Sequence, residues 1–294
     1  MKKIVIILVA TVVLSLMAFM FVSCSRATTQ GQLSNFLVDH AEENFVYSVT
    51  NELTGETGTY TVNVKKYPNG SAISCPDVIE NVSSGVLVNS TLLMGTVEYK
   101  TGCYFNIVSG TSLMTPAYTY RIQKENGNET FRMTGNYSGA NFRYSKTVAG
   151  ETSDGSIKLS GTYFDNNEFH QSLRTVTTFS TNFSFSFAIP LVSATENASV
   201  SLTAACSKSA FVKTEYTNGI EAYQENGVEC YNVRVSRSTK VAGLDQSLYY
   251  AKEPMKASNS NFTMTNVLVK FYEPITNESG TYYVVYALKS AEIH

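Results

Sequence analysis

Few side chains in this chain are of the kinds that do covalent chemistry. Histidine occurs three times, at His40, His170 and His294. A general base must sit within hydrogen-bond reach of the proton that it takes. His170, between Phe169 and Gln171, reads as an isolated surface histidine. No H-E-x-x-H, no paired histidines and no C-x-x-C supply ligands for zinc. There is no G-x-S-x-G elbow and no phosphate-cradling glycine loop. Asp154 with Gly155 reads as a hairpin turn, and Asp165 as a helix cap. A glycosidase-like carboxylate pair assembled from distant strands, with Glu98 or Glu273 among its members, leaves no trace in spacing. The expectation is a protein with no enzymatic activity and no cofactor.

Thiols are the other reactive groups: Cys24, Cys75, Cys103, Cys206 and Cys230. Four remain once Cys24 is set aside. Outside the cytoplasm an even number suits two disulfides, and proximity along the chain favours Cys75–Cys103 and Cys206–Cys230. Val200, Leu202, Ala204 and Cys206 share one strand face, and Cys230 shares the phase of Val228, so a Cys206–Cys230 bridge is expected. Four buried free thiols are the alternative reading.

The position of Cys24 carries more information. Lys2 and Lys3 precede an uncharged apolar run over residues 4–22, a length that fits either a signal segment or a spanning helix. The run ends in Phe21-Val22-Ser23-Cys24, followed by small and polar residues. This stretch resembles the lipobox of bacterial lipoproteins, with Phe21 where the family prefers leucine. The resemblance implies cleavage before Cys24, a lipid on its sulfur, and a membrane-anchored, extracytoplasmic protein. Buried acyl chains contribute about 0.8 kcal/mol per CH2, so two chains hold a protein on a membrane without a span. Removal of residues 1–23 takes away two lysines and no acid, leaving a chain more acidic than the whole, whose net charge is −2. No basic stripe is present, so nucleic acid is not an expected partner.

The elements behind these residues are strands. Period-two alternation is pervasive: Tyr60, Val62 and Val64; Tyr118, Tyr120 and Ile122; Phe183, Phe185, Phe187 and Ile189; Tyr282, Val284, Tyr286 and Leu288. The first three sets share a face opposite mostly Ser, Thr, Asn, Lys or Arg, which predicts antiparallel sheet with one buried side. Clusters such as ELTGETG, KENGNE, AGETSDG and EPITNESG mark hairpin turns. Near Gly227 the alternation slips, which reads as a bulge. Helix is scarce. SNFLVDHAEE (34–43) is one candidate. DNNEFHQSLRTV (165–176) is another, with Asp165 and Glu168 as a capping box and Phe169, Leu173 and Val176 on one face. The predicted class is all-β and mainly antiparallel: a curved sheet forming an incomplete barrel or a sandwich, with one or two short helices. The expected organisation is a signal peptide (1–23), a tether from Cys24 (24–44), and one β-rich domain (45–294). Its strand-rich halves, 45–163 and 177–290, are joined by the helix at 165–176.

A second resemblance rests on Tyr163-Phe164-Asp165-Asn166, Leu173-Arg174 and the strand after them, and on Cys230-Tyr231-x-Val233-x-Val235 with Leu248-Tyr249-Tyr250. Residues 160–290 are similar to uncharacterised extracytoplasmic β domains, and the build is similar to the LolA/LppX carriers. Those are incomplete barrels whose concave apolar face, closed by short helices, holds acyl chains. The resemblance implies a lipophilic ligand as partner. The candidate apolar face is Phe169 and Leu173 from the helix with Phe183, Phe185 and Phe187 from the strand. The 19 Tyr and 16 Phe either fill a wide core or line such a cavity. The alternative function is a surface module that recognises protein or glycan through its loops.

Overall fold

The computed structural model describes residues 31–32, 42–67, 85–107, 113–176, 180–216, 226–237, 245–277 and 280–294. Cys24, Cys75, His40 and the 1–23 leader lie outside the described residues, as does most of the 34–43 helix candidate. Its last two residues, Glu42 and Glu43, are strand. The strands of the first half are β1 (Gly31–Gln32), β2 (Glu42–Asn51), β3 (Thr57–Tyr67), β4 (Gly85–Met94), β5 (Val97–Ile107), β6 (Leu113–Glu125), β7 (Asn128–Ser138), β8 (Asn141–Val148) and β9 (Glu151–Lys158). After a short helix, α1 (Phe169–Leu173), come β10 (Ser184–Val192), β11 (Asn197–Val212), β12 (Val228–Arg237), β13 (Gln246–Ala251), β14 (Met255–Lys256), β15 (Thr263–Met264), β16 (Leu268–Asn277) and β17 (Gly280–Ile293).

Among the described residues fifteen strands form one antiparallel sheet, and β14 pairs β15 apart from it. The order is β10-β11-β12-β13-β16-β17-β2-β3-β4-β5-β6-β7-β8-β9, with β1 beside β6. Hairpins account for most neighbours. Asn126-Gly127 and Ala149-Gly150 are two-residue turns in which all four residues have positive φ, the hand that matches strand twist. Asp154 and Gly155 are therefore not the turn expected between β8 and β9. They lie within β9, because Gly150 already supplies the left-handed backbone.

The sheet rolls past itself. Across β6, β5, β4 and β3 the register places Arg121, Thr101, Ser90 and Val62 in one row, and Val62 belongs to the main core. Met133 on β7 continues that row. The inner face of the β7–β9 edge, with Phe131, Met133, Phe142 and Ile157, packs on Ala188 and Val192 of β10. Phe187 and Ile189, alternate residues of the same strand, enter the main core. So the inner face at one end of the sheet covers the outer face at the other, and the barrel is nearly closed. Two backbone bonds pin the overlap: Ala188 N–H to Thr162 O (2.8 Å) and Phe164 N–H to Ala188 O (3.0 Å). Lys146 Nζ, on β8, donates to Ser193 O (2.7 Å) and Asn197 Oδ1 (3.0 Å) across the same seam.

The helix differs from its expected form. It has five residues, not twelve, and all five are buried. Phe169 and Leu173 face the core as the periodicity predicts, but the opposite side is not solvated. Segment 163–176 crosses the barrel interior, and the walls bind its polar groups. Glu168 makes no side-chain cap, because its carboxyl turns to the sheet. Asp165 Oδ1 instead accepts from the Asn167 N–H (2.9 Å) in a tight turn before the helix. The expected slip near Gly227 falls at Tyr231–Asn232: Val228 and Cys230 are buried, then Val233 and Val235. It lies opposite a register shift between Cys206 and Lys208.

Candidate functional site

A cavity of ≈ 490 Å3 opens inside the rolled sheet, between α1 and the walls β3–β6 and β13, β16 and β17. Pair register explains what faces it. Tyr60, Leu92 and Tyr99 form one cross-strand row, and Ser90, Thr101 and Arg121 the next. From the other wall, Phe271 pairs Tyr286 and Glu273 pairs Val284. Met94, Phe169 and Leu191 complete a largely apolar surface. Phe271 and Tyr286 stack with ring centroids 4.0 Å apart, and Tyr60 meets Tyr286 edge-on at 5.4 Å.

A polar chain runs along one wall. Tyr286 O–H donates to Glu273 Oε2 (3.0 Å), and Gln246 Nε2 donates to Glu273 Oε1 (3.5 Å). His170 Nε2 lies 2.6 Å from Gln246 Oε1. Burial depresses the His170 pKa, so the ring is neutral at physiological pH. It then donates through Nε2–H and fixes the Gln246 amide with its nitrogen toward Glu273. Burial, and next the Glu273 charge, hold the Tyr286 phenol far above its ordinary range. On the opposite wall the Arg121 guanidinium lies over the Tyr99 and Phe131 rings, 5.9 and 5.6 Å from their centroids. Burial lowers its pKa, but an arginine remains charged at any physiological pH.

Beneath the cavity lies a buried acid pair. The hydroxyls of Thr101 and Ser90 reach Glu168 Oε1 at 2.7 and 3.2 Å, while Glu168 Oε2 has no partner. Burial raises the Glu168 pKa to about 8, against the hydroxyl donors. Asp165 is buried and also raised by desolvation, although Tyr137 O–H donates to it at 2.7 Å. Glu168 Oε1 accepts from both hydroxyls. Among the described residues no group of three His, Cys, Asp or Glu side chains is placed to hold a metal ion.

No family model matches the chain, and no curated protein matches it. Among solved structures it is similar to a β-barrel-like protein of domain of unknown function DUF1849 from Brucella abortus. The two share 10% identity with a TM-score of 0.47, over 86% of this chain and 98% of that one.

The residues singled out by sequence separate in space. Phe169 lines the cavity. Leu173 is fully buried in the core, and Phe183, Phe185 and Phe187 run along it at 5.9 and 5.8 Å centroid spacing, capped by Phe164. This row packs core and is not among the residues that line the cavity. The expected Cys206–Cys230 bridge is absent. Both are buried free thiols, with Cys206 opposite Val233 and Cys230 opposite Ala210, too many residues apart along the ladder to join. Cys103 is buried on the inner face of β5. His170 is buried and not at the surface, because α1 runs inside the barrel. Glu98 pairs with Lys100 and Lys124, whereas Glu273 faces the cavity. Arg121 and Gln246 were missed. Their only signal is a polar residue in phase with inner positions of neighbouring strands, which becomes readable once register is known.

Proposed function

We propose that the protein is a lipid-anchored cell-envelope lipoprotein that binds a lipophilic ligand inside its rolled sheet, without covalent chemistry. The observation that carries this reading is the open, mostly apolar cavity of ≈ 490 Å3. Its size falls in the range of small-molecule sites, about 300–1,000 Å3, and a mainly apolar wall with a few placed polar groups is their usual make-up. The reactive groups around it support binding over catalysis: His170 and Glu273 are engaged with Gln246 and Tyr286, and the described contacts pair neither with a nucleophile. The lipobox-like Phe21-Val22-Ser23-Cys24 supports the anchor. Among the described residues no helix is long and apolar enough to cross a membrane.

Mass spectrometry of protein extracted from native membranes tests both parts. The polypeptide should begin at a diacylglyceryl-modified Cys24, and a lipophilic compound should co-purify. A Cys24→Ala variant that is cleaved yet stays with the membrane would remove the anchor. Protein that carries no guest and binds no fatty-acid probe would turn the assignment to a module recognising protein or glycan through its loops.

A further inference from the structure

We infer that the guest carries a carboxylate and that Arg121 is the residue that receives it. This rests on reading the cavity as a lipophilic-ligand site and goes on to the chemistry of the guest. Arg121 lines the cavity. Among the described residues no carboxylate lies within ion-pair distance of its guanidinium, and none of its five N–H groups has a hydrogen-bond acceptor. Its position is nonetheless fixed. Tyr99 and Phe131 hold the cation against their ring faces, so the rings set the orientation of the donors.

The other charge on the wall is already engaged. Both oxygens of Glu273 accept hydrogen bonds, from Tyr286 and Gln246. Gln246 in turn is tied to His170. Among the charged side chains that line the cavity, the donors open to an incoming polar head are therefore those of Arg121, alongside the neutral amides of Asn166 and Asn167. A planar guanidinium presents two parallel N–H groups that match a carboxylate, a geometry no lysine reproduces. Glu273 attracts the Arg121 cation only from beyond ion-pair distance, and an anionic head in direct contact relieves more of the cost of a desolvated charge. Most of such a molecule is expected to be apolar, because Leu92, Met94, Phe169, Leu191 and Val284 contribute a largely apolar lining. An acyl or polycyclic monocarboxylate has this chemistry.

The test is a fluorescence titration of the full chain with cis-parinaric acid, its methyl ester and the amine of the same chain. Wild type should bind the acid at least about tenfold more tightly than the ester, since hydrogen bonds to a charged group are stronger than those between neutral groups. Arg121→Gln should lose that preference, and Arg121→Lys should fall between. Equal binding of acid and ester by wild type would overturn the inference while leaving the cavity reading intact. So would preference for the amine, which would direct the head to Glu273. Failure to bind any of the three would sink the cavity reading and this inference with it. The acid-to-ester ratio of wild type decides the matter even if the Arg121 variants do not fold.

Discussion

Arg174 and Glu43 meet 3.0 Å apart in the interior, 131 residues apart in sequence, with side chains 0% and 2% exposed. The contact ties the internal segment to the first long strand. Further described contacts of this guanidinium are also internal. It donates to the carbonyls of Asn266 and Thr265 and to Gln171 Oε1, and it lies 4.8 Å over the Phe45 ring.

Arg174→Met should therefore be severe. Removal of one partner leaves the Glu43 carboxylate buried without its cation, a loss of about 3–5 kcal/mol. Glu43→Gln should cost less, because the amide still accepts from Arg174. Urea denaturation of the two variants checks the order. Equal costs would mean that the pair acts through packing alone.

Glu168 sets a pH dependence of definite sign. Its folded pKa, about 8, lies above the ordinary 4.5, so the folded state holds a proton that the unfolded chain gives up. Stability from this group is full below pH 4.5 and is lost as pH rises through about 8. Buried His170 has the opposite sign: its pKa is depressed, so its contribution is lost as pH falls below 6.5. Glu168→Gln should isolate the acid, flattening the fall of the urea midpoint between about pH 5 and 8.5. A slope unchanged in the variant would place the titrating group elsewhere.

The phenylalanine row should respond as core. Phe187 is 2% exposed, and Phe187→Ala is expected to cost about 3–5 kcal/mol. Phe185, only half-buried, should cost clearly less. Neither substitution should alter the affinity for a fatty-acid probe in protein that remains folded, since neither ring lines the cavity. A selective loss of probe binding would extend the site along β10.

Two thiols should be silent until the protein unfolds. Burial raises the Cys206 pKa and pushes that of Cys230 up to about 12, and the thiolate is the reactive form. Iodoacetamide at neutral pH should leave both unmodified in native protein and label both in urea. Reductant should not move the melting temperature. A disulfide-linked peptide joining them would contradict the β11–β12 register.

Strand content, turns and curvature were legible because alternation reports one buried face. Which face is inner was not. On β6 the apolar Tyr118, Tyr120 and Ile122 read as the core side, yet they form an outer cluster with Leu87 and Tyr104. The inner side carries Thr119 and Arg121. On this strand the polar side is the inner one, so alternation alone points the wrong way, and only the Arg121–Thr101–Ser90–Val62 row settles it. For α1 the Phe169, Leu173 and Val176 spacing was readable. Buried Glu168, His170 and Arg174 were not, because charged residues on a helix ordinarily mean water.

The pairing of β2 with β17 governs how the chain reaches this state. These strands lie side by side in the middle of the sheet, and Ser48 bonds to Ala287 across 239 residues. Each half can zip its hairpins quickly, but the two cannot join until that long loop closes. Non-local pairing of this kind slows folding far more than it lowers stability. Before that step β2 and β17 each present an unpaired edge, the form of exposed strand that recruits other chains. Refolding should accordingly be slow, and the yield should fall with protein concentration, because a second copy's β17 competes for β2.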